Sequence, residues 1–96
     1  MKLGRPSVHY IYRMTSDEKL KNAFQQALGM PPEADFEAAK YGETEGWDSA
    51  AHMALVAEIE SAFDLMLDTD EVIGMNSFEK AREFAANHGV VFALRS

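Results

Sequence analysis

Between Leu20 and Leu28 the apolar side chains fall at Leu20, Ala23, Phe24, Ala27 and Leu28. This is the i, i+3, i+4, i+7, i+8 spacing of a helix with one face to bury, met without a miss. The period returns after residue 49, where steps of 100° gather Leu55, Val56, Ile59, Ala62, Phe63 and Met66 into one arc and leave Glu58, Ser61 and Asp64 outside it. It returns again as Phe78, Ala81, Phe84, Ala85 and His88. Helices with one apolar face satisfy that face by packing on one another, so the pattern predicts an all-α domain.

Local signals place the helix ends. Thr15-Ser16-Asp17-Glu18 is a capping box, and Gly29 with Pro31-Pro32 stops the first helix. A long loop runs from there to Gly46, with Phe36 and Tyr41 as large anchors in an otherwise polar stretch. Asp48 or Ser49 supplies the side-chain oxygen that opens the second helix. Leu65 to Asp70 is a linker, and Thr69 to Gly74 reads as one short helical turn closed by glycine. Asn76 or Ser77 caps the last helix, Glu79 favours its positive end, His88 its negative end, and Gly89 stops it. Phe24, Phe63, Phe84 and the aliphatic residues are expected to hold the core. Residues 15–90 are expected to form the domain. Residues 1–14 are expected to be a poorly ordered N-terminal extension, and residues 91–96 a short apolar tail covering core edges.

A chain of 96 residues supports one such core, not two. Its 47% hydrophobic content is enough to offset the entropy of ordering. The net charge of −7 repels phosphate backbones and anionic lipid, which argues against a nucleic-acid partner. Cysteine is absent, so disulfides, thiolate metal sites and cysteine nucleophiles are excluded. No metal site is expected. His9, His52 and His88 share no ligand spacing, and a calcium-loop reading of Asp68, Asp70 and Glu79 fails at Val72 and Ile73, where a ligand and a glycine are needed. No apolar window reaches the length of a membrane span, and Val8 to Tyr12 is too short for a signal peptide. The expectation is a cytoplasmic monomer without membrane insertion.

Gly46-Trp47-Asp48-Ser49 stands at the mouth of the second helix. On helix physics alone Ser49 reads as an N-cap. A serine there is also exposed on a rigid element, where the partial positive charge tolerates an attached phosphodiester.

From Leu20 to about Gly89, roughly seventy residues in helical register, the chain resembles the acyl carrier protein family. The resemblance rests on Gly46-Trp47-Asp48-Ser49, on Ala34-Asp35-Phe36 in the loop, and on the Leu55, Val56, Ile59, Phe63 pattern. Asp68-Thr69-Asp70-Glu71 before the short helix and Ser77-Phe78 opening the last one extend it. It implies an acyl-carrier-like four-helix bundle, three helices longer and one short, with a long loop between the first two. It further implies that Ser49 bears a covalent 4′-phosphopantetheine, taken from coenzyme A by a phosphopantetheinyl transferase that supplies the magnesium and the base. Acyl or aminoacyl groups then ride on the arm as thioesters, delivered to partner enzymes of a fatty acid, lipid or specialised-metabolite pathway, and the domain itself is not an enzyme. Asp48, by the same resemblance, helps the transferase recognise the site. Ala50 and Ala54 replace the leucine and glutamate usual in carriers of fatty acid synthesis, which points to a specialised carrier.

Trp47 reads as a packed anchor at the helix entry, or as a contact for the arm or a partner. His52 reads as partly packed and satisfied by a loop oxygen. Its alternatives are a residue lining the entrance used by arm or cargo, and a Ser49–His52 hydrolase pair, for which no carboxylate is spaced to orient the imidazole. Met53 is a flexible apolar group near the serine. Asp48, Glu58, Glu60 and Asp64 are expected to form a negative edge that docks on basic patches of acyl-loading and acyl-transfer enzymes. The rival reading is an unmodified acidic helical adaptor in which Ser49 is only the helix N-cap.

Overall fold

The computed structural model describes residues 14–92. The expected extension, with Lys2, Arg5 and Val8 to Tyr12, lies outside the described residues apart from Met14, as does the tail beyond Phe92. Four α-helices and one 3-10 turn follow in order: α1 (Ser16–Leu28), the 3-10 turn (Phe36–Ala38), α2 (Ser49–Phe63), α3 (Thr69–Gly74) and α4 (Phe78–Asn87). Among the described residues the one β-type contact is an isolated antiparallel bridge between Lys40 and Ser77. The architecture is all-α.

Each helix starts on a side-chain cap. Thr15 Oγ1 accepts the Glu18 N–H at 3.1 Å while Glu18 Oε1 accepts the Thr15 N–H at 2.9 Å, the capping box that Thr15-Ser16-Asp17-Glu18 predicts. At its other end Gly29 takes φ 73 and returns its N–H to the Gln25 carbonyl. A second capping box, Asp68 with Glu71, opens α3 at 2.8 and 3.0 Å. Ser77, rather than Asn76, caps α4 through the Lys80 N–H at 3.0 Å.

α1 packs along α2, with Leu20, Ala23 and Phe24 meeting Leu55, Val56 and Ile59. Phe78, Ala81 and Ala85 close the core from α4. Trp47 and Met75, from the connections, complete it. Phe24 stands edge-on to both Trp47 (5.2 Å between ring centres) and Phe78 (4.9 Å). Each such side chain contributes about 1.5–3 kcal/mol through burial.

Several residues expected inside are not. Asp64 adopts φ 53 and ends α2 at Phe63, so the helical period does not carry Met66 inward, and that side chain is 80% exposed. Ala62 is exposed, and Phe63 and Phe84 are half-buried at the margin, Phe63 against Phe92. His88 lies at the surface with its ring on Glu71. α3 buries no residue of its own.

The long loop is tied at two places. The Lys40–Ser77 bridge joins it to the α3–α4 connection, with Tyr41 N–H donating to Asn76 O at 2.9 Å and Phe78 N–H to Ala39 O at 3.1 Å. Arg82 of α4 reaches Asp17 of α1 at 3.4 Å, forks onto both carboxylate oxygens of Glu37 in the 3-10 turn, and lies over the Phe78 ring. The Glu37 hydrogen bond raises the Arg82 pKa above its ordinary value. Phe36 is buried as the loop anchor, but Tyr41 remains 43% exposed because its ring edges a surface cleft. Among the described residues no helix is long and apolar enough to cross a membrane.

Candidate functional site

A tight loop delivers the Gly46-Trp47-Asp48-Ser49 segment. Thr44 Oγ1 accepts the Lys40 N–H at 2.8 Å, the Trp47 N–H donates to Thr44 O, and the Gly42 N–H donates to Trp47 O. Gly46 takes φ 87 with its α-carbon against the end of α1, where an added Cβ would stand 2.7 Å from the Leu28 carbonyl oxygen. That close approach turns Trp47 into the core, where it is 2% exposed. Trp47 packs there edge-on against Phe24.

Asp48, not Ser49, is the N-cap of α2. Its Oδ1 accepts the Ala51 N–H at 2.9 Å. Ser49 is therefore the first residue inside the helix, exposed, with no hydrogen bond to its hydroxyl among the described residues. Of the two residues expected to open the helix, Asp48 or Ser49, the geometry gives the capping task to Asp48. The Ser49 hydroxyl therefore stands on the first turn of a rigid helix without a capping role.

His52 has both nitrogens engaged. Its Nδ1 accepts the Trp47 Nε1–H at 3.0 Å, and its Nε2 lies 2.7 Å from the Val72 carbonyl oxygen. An indole nitrogen only donates and a carbonyl only accepts, so the ring is neutral with its hydrogen on Nε2. The loop oxygen expected for His52 is Val72 O, with Trp47 as a second partner. With both nitrogens committed, no Ser49–His52 nucleophile pair forms.

Ser49, His52 and Met53 line one wall of a groove of about 390 Å³. Val72, Ile73, Met75 and Asn76 form the facing wall, and Tyr41 closes one end. Apolar surface predominates there, and Met53 and Ile73 stand 58% and 74% exposed at its rim. The Tyr41 ring packs edge-on against both Trp47 and His52. The sequence reading missed the far wall: no local pattern marks Val72, Ile73 or Asn76 as neighbours of a serine more than twenty positions away. Beside that wall, Glu71 is held below its ordinary carboxylate value by the hydrogen bond from His88 and then by the Asp68 N–H.

The expected negative edge is not one edge. Glu58 is nine residues from Ser49, about half a turn round the helix, and lines a separate cleft with Lys19 and Asn22 of α1. Glu60 shares the Ser49 face, but its Oε2 accepts the Leu67 N–H at 2.9 Å and holds the linker. Asp64 is exposed beyond the last turn. Asp48 alone of the four carboxylates lies next to the serine, and it is occupied as a cap. Compared with family models, curated proteins and solved structures, the chain matches none.

Proposed function

We propose that the chain is an acyl-carrier-type domain, a four-helix bundle whose Ser49 bears a covalent 4′-phosphopantetheine. One observation carries the reading: the exposed Ser49 hydroxyl is unspent on capping and opens onto an apolar groove between α2 and α3. The residues fit the group. Asp48 completes the helix start without using the serine, the positive end of α2 suits a phosphodiester, and the groove offers Met53 and Ile73 to the apolar part of an arm. When bound, the group supplies a long arm ending in a thiol, on which acyl or aminoacyl groups travel as thioesters. In the attachment step the Ser49 oxygen bonds to phosphorus, the pyrophosphate bond of coenzyme A breaks, adenosine 3′,5′-bisphosphate leaves, and the serine proton passes to a base of the transferase. This chain presents the hydroxyl, and the enzymes that load and unload the arm do the catalysis.

The test is to incubate the chain with coenzyme A, magnesium and a broad-specificity phosphopantetheinyl transferase and to weigh it. A gain of one phosphopantetheine that disappears in Ser49→Ala is the expected result. No gain with several such transferases would favour an unmodified binding module.

A further inference from the structure

Among the described residues, Tyr41 and His52 are the only titratable side chains lining the Ser49 groove. His52 also links the α2 wall to the α3 wall by a polar contact. It reaches the buried Trp47 that precedes the serine through Nδ1, and the backbone of α3 at Val72 through Nε2. α3 has no fully buried residue and rests on the core only through the partly buried Val72, so its polar ties carry more weight than those of the other helices. The ties visible from neighbouring helices are this one, from α2, and the His88–Glu71 pair, from α4.

We propose that His52 is a positioning residue for the Ser49 site: its neutral ring fixes Trp47 and the α3 wall at once, and so sets the groove in which a group attached to Ser49 lies. The inference rests on the carrier reading for its function and on the Trp47–His52–Val72 chain for its geometry. The bridge has a chemical signature. A proton added to Nδ1 would face the indole N–H, two donors head to head, while the Nε2–H could still donate to Val72 O. Protonation therefore breaks the Trp47 indole bond and leaves α3 attached. The groups facing the ring are Trp47 and Tyr41 from the loop and the Val72 carbonyl from α3, and none of them is a carboxylate that would hold the imidazolium in place. Glutamine at this position offers one acceptor and one donor and does not take up a proton, so it separates bridging from titration.

Because Trp47 is the single tryptophan, its indole N–H gives one resonance. Its hydrogen exchange is to be measured against free tryptophan across the range in which the His52 ring resonances titrate, in wild type, His52→Gln and His52→Ala, with helicity checked by circular dichroism. Exchange should speed up by about tenfold or more in His52→Ala at neutral pH, and in wild type as His52 takes up its proton, while His52→Gln shows no such step. The second readout is the rate of arm attachment to Ser49. In the ratio of wild type to His52→Gln the transferase's own pH dependence cancels, and the ratio should fall as His52 protonates, with His52→Ala slower by about threefold or more at neutral pH. Indole exchange indifferent to His52 would overturn the bridge. Intact exchange behaviour with attachment rates equal in all three proteins would overturn the positioning role. Failure of every protein to accept the arm would instead sink the carrier reading and the positioning role with it, leaving the bridge to be judged by exchange alone.

Discussion

The Asp48 carboxylate accepts the Ala51 amide at 2.9 Å, and this single bond separates the structural task at the start of α2 from whatever Ser49 does. An N-cap carboxylate satisfies an orphan N–H and meets the positive end of the helix; an N1 serine does neither. The two residues are adjacent in sequence and distinct in role.

Asp48→Ala is therefore expected to lower stability by about 1 kcal/mol, and Ser49→Ala by no more than a few tenths. Urea titration of the unmodified proteins measures both. Equal losses would return the cap to Ser49 and remove the ground for calling its hydroxyl available.

Glu71 gives a pH dependence whose sign follows from its depressed value. Its carboxylate lies below the ordinary 4.5, first because of the His88 hydrogen bond and then because of the Asp68 N–H. A depressed carboxylate contributes its stability in full above the unfolded-state value and loses it as pH falls through the folded-state value. The melting temperature of wild type should therefore exceed that of Glu71→Gln at neutral pH, and the margin should close as the pH is taken below 4.5. A margin that survives into strong acid would mean that the carboxylate's charge is not what holds α3 there.

Arg82 joins three elements, and neither of its carboxylate partners, Asp17 and Glu37, is within forty residues of it. Charge-assisted, forked bonds of this kind are stronger than neutral ones, and the guanidinium also covers the Phe78 ring. Arg82→Lys keeps the charge but not the fork, so it should cost about half of what Arg82→Met costs, with the latter near 1–2 kcal/mol. Thermal melts of the two variants at low and high salt provide the comparison. Indifference to both substitutions would make the cluster ornamental.

The parts of the fold that follow from short-range chemistry were readable without coordinates. Thr15 with Glu18, Gly29 and Ser77 each declare a helix end through a side chain or a backbone angle acting within four residues. The exposed serine at a helix mouth is of the same kind. What lay beyond reach depends on distant partners. Met75 is fully buried although it stands in a connection with no periodic pattern, and the Arg82 cluster links positions 17, 37 and 82. Periodicity also overreached: the arc through Met66 assumed a helix that continues past Phe63, and the left-handed Asp64 breaks it. His52 was legible as a residue near the serine, but its partner Val72 belongs to a helix whose placement no local signal fixes.

Gly46 supplies the sharpest test of how the site is built. At φ 87 any L-residue is strained, by about 1–2 kcal/mol for a left-handed conformation. Gly42, at φ 80, carries the same conformational cost but has open space where a Cβ would go. At Gly46 the added carbon meets the Leu28 carbonyl oxygen at 2.7 Å, so either the last turn of α1 or the loop carrying Trp47 must move. Gly46→Ala should thus lose roughly twice the stability that Gly42→Ala loses. Because the displaced loop holds Trp47, Gly46→Ala should also weaken the Trp47–His52 bond, while Gly42→Ala leaves it intact. Equal losses in the two alanine variants, measured by urea titration with indole exchange alongside, would show that the close approach to Leu28 does not govern how Trp47, and behind it Ser49, are set at the mouth of α2.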